Sequence, residues 1–206
     1  MLAWLIALNL LPEAILQMSD QGIIGPPCLR ALAYHLGAFQ PDLLTASGPL
    51  YPGHSLVMFF TYGFLHTGLP HLAVNMLTLV WLGRIILSYR TSETFLIVYL
   101  MSMVGAAEVF ALIGPAGGDV VGASGALFGL LGLYAVDNKV LIPDGSKNRP
   151  IVQIAWLILA TAALGVTDLV SQILLGAPVA WQAHAGGFVA GALVAFVSPP
   201  RYASAR

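Results

Sequence analysis

Three short patterns hold residues able to work on a carbonyl carbon. Gly122-Ala123-Ser124-Gly125 places a serine among small residues at the head of an apolar segment, directly after the loop Gly114-Pro115-Ala116-Gly117-Gly118-Asp119. A helix start directs N–H groups forward and its macrodipole favours negative charge, which suits a developing oxyanion. Taken alone, the tetrapeptide reads more simply as helix capping with close packing through Gly125 and Gly129. The second pattern, His184-Ala185-Gly186-Gly187-Phe188-Val189-Ala190-Gly191, opens another apolar segment with an imidazole. A serine hydroxyl is a weak nucleophile until a neighbouring base takes its proton, and His184 is the candidate base for Ser124. The third pattern runs from His66 through His71 to Asn75. His71 and Asn75 are one helical turn apart, so their side chains share a face, and both can donate hydrogen bonds to a negative oxygen. The bland alternative for each is interhelical hydrogen bonding that only glues a bundle.

The elements that must position these groups are membrane helices. Of the 206 residues, 58% are hydrophobic and only 8% are charged, against roughly one-quarter charged in a soluble domain. Six apolar segments stand out, at 2–18, 69–87, 94–113, 122–136, 151–167 and 183–197. Several approach the ~20 residues needed to cross a bilayer. The first carries Asn9, Pro12 and Glu13, which leaves an interfacial helix as its alternative. Between the first two segments, 19–55 is rich in Pro and Gly and is expected to fold on the membrane surface.

Six spans with both termini inside put Arg84, Arg90, Lys139, Lys147, Arg149, Arg201 and Arg206 on the cytoplasmic side. Of the 8 basic residues only Arg30 is then outside, as the positive-inside rule requires. The second, fourth and sixth spans all run inward in this topology. Their first turns hold His71 and Asn75, Ser124, and His184 at one depth below the outer surface. Gly125 and Gly129 on one segment, and Gly187 and Gly191 on another, form smooth stripes that would let two backbones approach closely if they face each other.

The combination of HxxxxHxxxN at His66, His71 and Asn75, GxSG at 122–125 and AHxxGxxxG at 183–191 resembles the rhomboid family of intramembrane serine proteases. The resemblance implies an all-α polytopic membrane protein with a six-transmembrane-helix bundle. It implies a dyad of Ser124 and His184, with oxyanion contacts from His71, Asn75 and the Ser124 backbone N–H. His66 would brace the surface loop. The expected layout is a first span at 1–18, an outer surface loop at 19–57, a catalytic five-helix core at 58–199 and a cytoplasmic tail at 200–206. Three positions depart from the family's pattern. Val57-Met58 stands where many rhomboids have Trp-Arg, so the surface loop must be anchored differently. Phe128 stands where a Tyr often packs on the catalytic imidazole, and Leu87 replaces a common Glu.

The same resemblance implies single-span transmembrane substrates within the lipid bilayer and no cofactor. No metal is implied, since no HExxH is present, and Gly117-Gly118-Asp119 is not the GxGD of an aspartyl dyad. The near-neutral charge, formally -1, and the lack of a basic run speak against nucleic acid. The lone Cys28 excludes an internal disulfide. Glu108, inside the third segment, is expected to make a structural hydrogen bond rather than take part in chemistry. A bacterial plasma membrane is the expected location, on the absence of an extra soluble domain and of a cleavable targeting presequence. Two other readings share these features: a catalytically silent rhomboid-like binder of transmembrane segments, and a small transporter whose polar path would use Glu108 and the histidines.

Overall fold

The computed structural model describes residues 1–45, 47–138 and 180–198. Among them the chain is helical, apart from one isolated bridge between Phe39 and Val120. The helices are α1 (Leu2–Asp20), α2 (Leu29–Gly37), α3 (His54–Thr61), α4 (Leu69–Leu87), α5 (Ser92–Ile113), α6 (Ser124–Asp137) and α7 (Trp181–Val197). Short 3-10 turns occupy Pro41–Leu44 and Tyr62–Phe64. Three helices, α1, α4 and α5, are long and apolar enough to cross a membrane, with mean hydropathies of 1.4, 1.4 and 2.2. Helices α6 and α7 are apolar but shorter. The expected fifth span at 151–167 lies outside the described residues, as does the tail at 200–206.

The described residues form two compact units. The first contains 1–84 and 115–124. Its α1 is one of the helices long and apolar enough to cross a membrane, and two of its polar residues have partners inside this unit. Asn9 donates from Nδ2 to the Leu5 carbonyl at 2.7 Å, and the Glu13 carboxylate is fully buried against the Arg30 guanidinium at 2.9 Å. A carboxylate in an apolar helix is tolerable when a cation neutralises it. The segment after α1 is more ordered than its Pro and Gly content suggested, since α2 forms within it and α3 begins at its end. Phe39 and Val120 exchange two backbone hydrogen bonds of 3.0 Å, and the Gly122 N–H donates to the Tyr62 carbonyl at 2.9 Å. These bonds fix the strand-like approach that leads into Ser124.

The second unit begins at 85–114 and resumes at 125. Its packing depends on missing side chains. A Cβ at Gly187 would run into the Gly125 carbonyl oxygen, and one at Gly191 would lie 2.7 Å from the Gly129 Cα. The two small-residue stripes therefore do face each other, with α6 and α7 in backbone contact. Helix α5 meets α7 in the same way, since a Cβ on Gly105 would lie 2.7 Å from the Ala190 Cβ. Far along α6 from its start, Arg90 grips Asp137 through Nε at 2.9 Å and through a second, short contact. Arg90 also donates to the Ser198 carbonyl. This buried pair, each side chain 3% exposed, ties the start of α5 to the ends of α6 and α7.

Glu108 departs from expectation. It lies exposed on α5 and has no hydrogen-bond partner among the described residues, because it projects from the face of α5 opposite the buried row of Met103, Ala106, Ala107 and Phe110.

Overpacking at such a contact costs about 1–3 kcal/mol or more. Gly191→Val is expected to lower the thermal unfolding midpoint in detergent by several degrees, whereas Leu193→Val, at a 57% exposed position of the same helix, should change it little.

Candidate active site

The first unit brings His71, Asn75, Gly122 and Ser124 into one neighbourhood. Pro70 sits in the first turn of α4, where its missing N–H costs nothing. One turn of helix then aligns His71 with Asn75. Gly122 has φ +122°, a conformation side chains rarely adopt. A Cβ there would lie 2.7 Å from His71 Cε1, 2.8 Å from His71 Nε2 and 3.6 Å from Asn75 Nδ2. Only glycine fits, and its bareness leaves the His71 edge and the Asn75 amide facing the backbone two residues ahead of Ser124.

The hydrogen bonds fix which nitrogen of His71 can donate. Thr67 approaches Nδ1 with both its hydroxyl, at 3.1 Å, and its backbone N–H, at 3.5 Å. An N–H donor requires Nδ1 to accept, which puts the ring proton on Nε2, the nitrogen beside Gly122. The Asn75 amide is 4% exposed, and its Nδ2 has no hydrogen-bond partner among the described residues. A buried unpaired donor is costly. Two aimed donors, one of them unsatisfied, are what a site for a transient negative oxygen requires. Ser124 is the first residue of α6 and is half-buried, as is His71.

His66 lies behind His71, with ring centroids 5.0 Å apart in an edge-to-face arrangement. It is fully buried. Burial and the neighbouring His71 push its imidazole down to about 4, and the Phe64 carbonyl only partly offsets them. His66 is thus a neutral packing residue at physiological pH.

In the second unit, His184 sits in the first turn of α7, its N–H donating to the Ala180 carbonyl at 3.1 Å. Its ring stacks on Phe128 with centroids 4.3 Å apart and planes inclined by 28°. Phe128 therefore takes the imidazole-packing place expected of it.

Comparison with known proteins decides the family. The rhomboid domain profile matches residues 53–201, which is most of the chain. The chain belongs to the rhomboid family. It is 29% identical to RHOMBOID-like protein 1 of Arabidopsis thaliana over 188 residues, covering 87% of this chain and 42% of that protein. RHOMBOID-like protein 4 of the same plant is 34% identical over 140 residues, covering 65% of this chain and 32% of that protein. RHOMBOID-like protein 5 is 32% identical over 138 residues, covering 65% and 41% respectively. This rhomboid thus spans less than half the length of the curated relatives it matches. The family in general comprises intramembrane serine proteases acting on transmembrane substrates, and the apolar helices make this member an integral membrane protein.

Sequence reasoning missed several contributors. Thr67, which sets the His71 tautomer, and Gly122, which clears space for it, lie inside the motifs, but the motifs by themselves assign neither of them this role. Arg30 was read only as the one basic residue outside. A carboxylate inside an apolar segment needs a cation, and the pairing of Glu13 with Arg30 could have been sought on that ground.

Two outcomes follow. Gly122→Ala should abolish reaction of Ser124 with a fluorophosphonate probe, because the methyl group occupies the donor pocket. The residue strain of about 1–3 kcal/mol should also appear as a lower unfolding midpoint. For His66, the unfolded imidazole titrates at its ordinary value of 6.5 and the folded one at about 4. Between these values the unfolded chain binds more protons, so stability rises with pH across that window, is fully present above it, and is lost as pH falls through it. Unfolding midpoints measured from pH 7 to pH 4 should drop less steeply in His66→Gln than in the wild type.

Proposed function

We propose that this rhomboid is an intramembrane serine endopeptidase that cleaves transmembrane segments near the outer face of the membrane. The carrying observation is the pair of donors beside Gly122: the Nε2–H of His71 and the unsatisfied Nδ2 of Asn75, next to the serine that starts α6. His184 supplies the base. Its support is the stacking on Phe128, which is one helical turn beyond Ser124 on α6 and so on the same face of that helix.

In this mechanism the Ser124 hydroxyl attacks a peptide carbonyl while His184 takes its proton. The carbonyl oxygen becomes negative and is held by His71, Asn75 and the Ser124 N–H. Collapse of the tetrahedral intermediate breaks the C–N bond as His184 returns the proton to the leaving amine. Water, deprotonated by His184, then hydrolyses the acyl-enzyme and restores Ser124.

The length of α6 suits this chemistry. Its 14 residues span about 21 Å, less than the ~30 Å hydrocarbon core. With its Asp137 end at the inner face, Ser124 lies below the outer surface, in reach of water only through a cavity open to that side. A transmembrane helix conceals its carbonyls in its own ladder, so the substrate must unwind locally. Small or helix-breaking residues near its outer end therefore mark the cleavable segments. In this reading the substrate enters laterally, near the second and fifth spans, and the distribution of basic residues supports cytoplasmic termini.

The test is proteolysis of single-span substrates by the purified protein in detergent. Wild type is expected to cleave, while Ser124→Ala and His184→Ala lose at least about three orders of magnitude in kcat, the scale of removing one member of a nucleophile–base pair. Cleavage that survives both substitutions rejects the dyad. Retained substrate binding with no cleavage by the wild type would identify a silent binder.

A further inference from the structure

The Arg30 guanidinium sits at the centre of a network that ends on the donor side of the candidate active site. Its Nη1 and Nη2 hold both oxygens of the buried Glu13 at 3.0 and 2.9 Å. Its Nε donates to Asp20 at 2.7 Å. Nη1 also donates to the His66 carbonyl at 2.8 Å. Tyr34, one turn along α2, gives the same carbonyl a second hydrogen bond from its hydroxyl at 2.6 Å. That carbonyl is the one joined by a peptide bond to Thr67, whose N–H and hydroxyl approach His71 Nδ1.

Each link constrains the next. Glu13 lies in α1, a long apolar helix, and fixes the plane of the guanidinium through a two-point contact, the geometry in which Arg gives directional recognition. The guanidinium and Tyr34 together occupy the His66 carbonyl, so the 66–67 peptide plane cannot rotate without breaking two hydrogen bonds. That plane orients the Thr67 N–H toward Nδ1. With Nδ1 committed as acceptor, the proton stays on Nε2, beside Gly122.

We infer that Arg30, clamped by Glu13, is a positioning residue for His71: through the His66 carbonyl and Thr67 it holds the imidazole in the orientation and tautomer that donate from Nε2. Arg30 touches no reacting atom. The inference rests on the protease reading only for its effect on rate; the tautomer it assigns to His71 stands apart from that reading. Lys cannot replace Arg30, because one ammonium cannot span a carboxylate, a second carboxylate and a carbonyl in a single plane.

The experiment compares the full-length wild type with Arg30→Lys, Arg30→Gln, Tyr34→Phe and a control, Ser19→Ala. Ser19 donates to the Pro26 carbonyl at 2.6 Å, so its loss loosens the same α1–α2 connection without touching Arg30. Three readouts are taken: unfolding midpoint, kcat and KM on a single-span substrate, and the ¹⁵N spectrum of histidine-labelled protein with His71 identified by its loss in His71→Asn. Arg30→Lys and Arg30→Gln are expected to lower kcat about tenfold or more, the scale of a small misplacement of a positioning group, with KM changed less than about twofold. The His71 signals should move from the Nε2–H tautomer towards a mixture. Tyr34→Phe should do the same to a smaller degree, and serves if Arg30→Gln does not fold. Ser19→Ala should lower the midpoint with kcat and the His71 signals unchanged.

An unchanged His71 spectrum in the Arg30 variants overturns the inference. So does a loss of kcat in Ser19→Ala equal to theirs at the same loss of midpoint. If the wild type neither cleaves nor reacts with a fluorophosphonate, the protease reading fails while the His71 spectrum still decides this one.

Discussion

Backbone has to come against backbone, or against a ring edge, at the points where this protein does anything unusual, and that is possible only where side chains are missing. Gly187 and Gly191 sit where a single methyl group would overlap the carbonyl or Cα of α6, and Gly122 sits where a methyl would overlap the His71 ring. In lipid no hydrophobic effect pulls helices together, so close van der Waals contact and polar bonds must do it. The glycines thus set how near α6 and α7 lie, and leave a bare surface in front of two hydrogen-bond donors. A chain with alanine at these places would keep its helices and its hydropathy and lose the geometry.

Charge is handled by the same economy. Among the described residues the buried ionic groups are concentrated in two nodes. Glu13 and Arg30 bind the first helix to the surface segment, and Arg90 and Asp137 bind the ends of α5, α6 and α7. Both are planar two-point contacts of Arg with a carboxylate, the arrangement that best offsets the cost of removing charge from water. The node at Arg90 lies at the end of α6 distant from Ser124 and fixes its far end. The node at Arg30 lies on the His71 side and extends through a carbonyl to an imidazole. Breaking either leaves an uncompensated charge in an apolar setting, so each also specifies the arrangement it stabilises.

The histidines show how environment divides identical side chains among roles. His66 is sealed off and held neutral by burial, a spacer whose carbonyl matters more than its ring. His71 is half-buried and committed at one nitrogen to Thr67, which frees the other as a donor. His184 is half-buried, stacked on an aromatic face and placed in the first turn of its helix. Phe128 retains the stacking surface that a Tyr would give while offering no hydroxyl to compete for the imidazole.

Read by itself, the sequence determined the class of the protein and named the residues that are candidates for its chemistry. Apolar length demands membrane helices, because only a self-satisfied backbone survives in lipid. Spacings of four residues put His71 with Asn75 and aligned the glycine stripes, because helical periodicity is local. Those features depend on neighbours in the chain, and α1, α4, α5, α6 and α7 lie close to where the apolar runs put them. The tertiary structure alone decided what depends on residues distant in sequence. Examples are Arg30 as partner of Glu13 and the His66 carbonyl, the order within the surface segment, the bridge of Phe39 to Val120, the Asn75 donor without a partner among the described residues, and Glu108 lying exposed rather than bonded. Hydrogen-bond partners and burial are set by which surfaces meet across many residues, and no local pattern records that meeting.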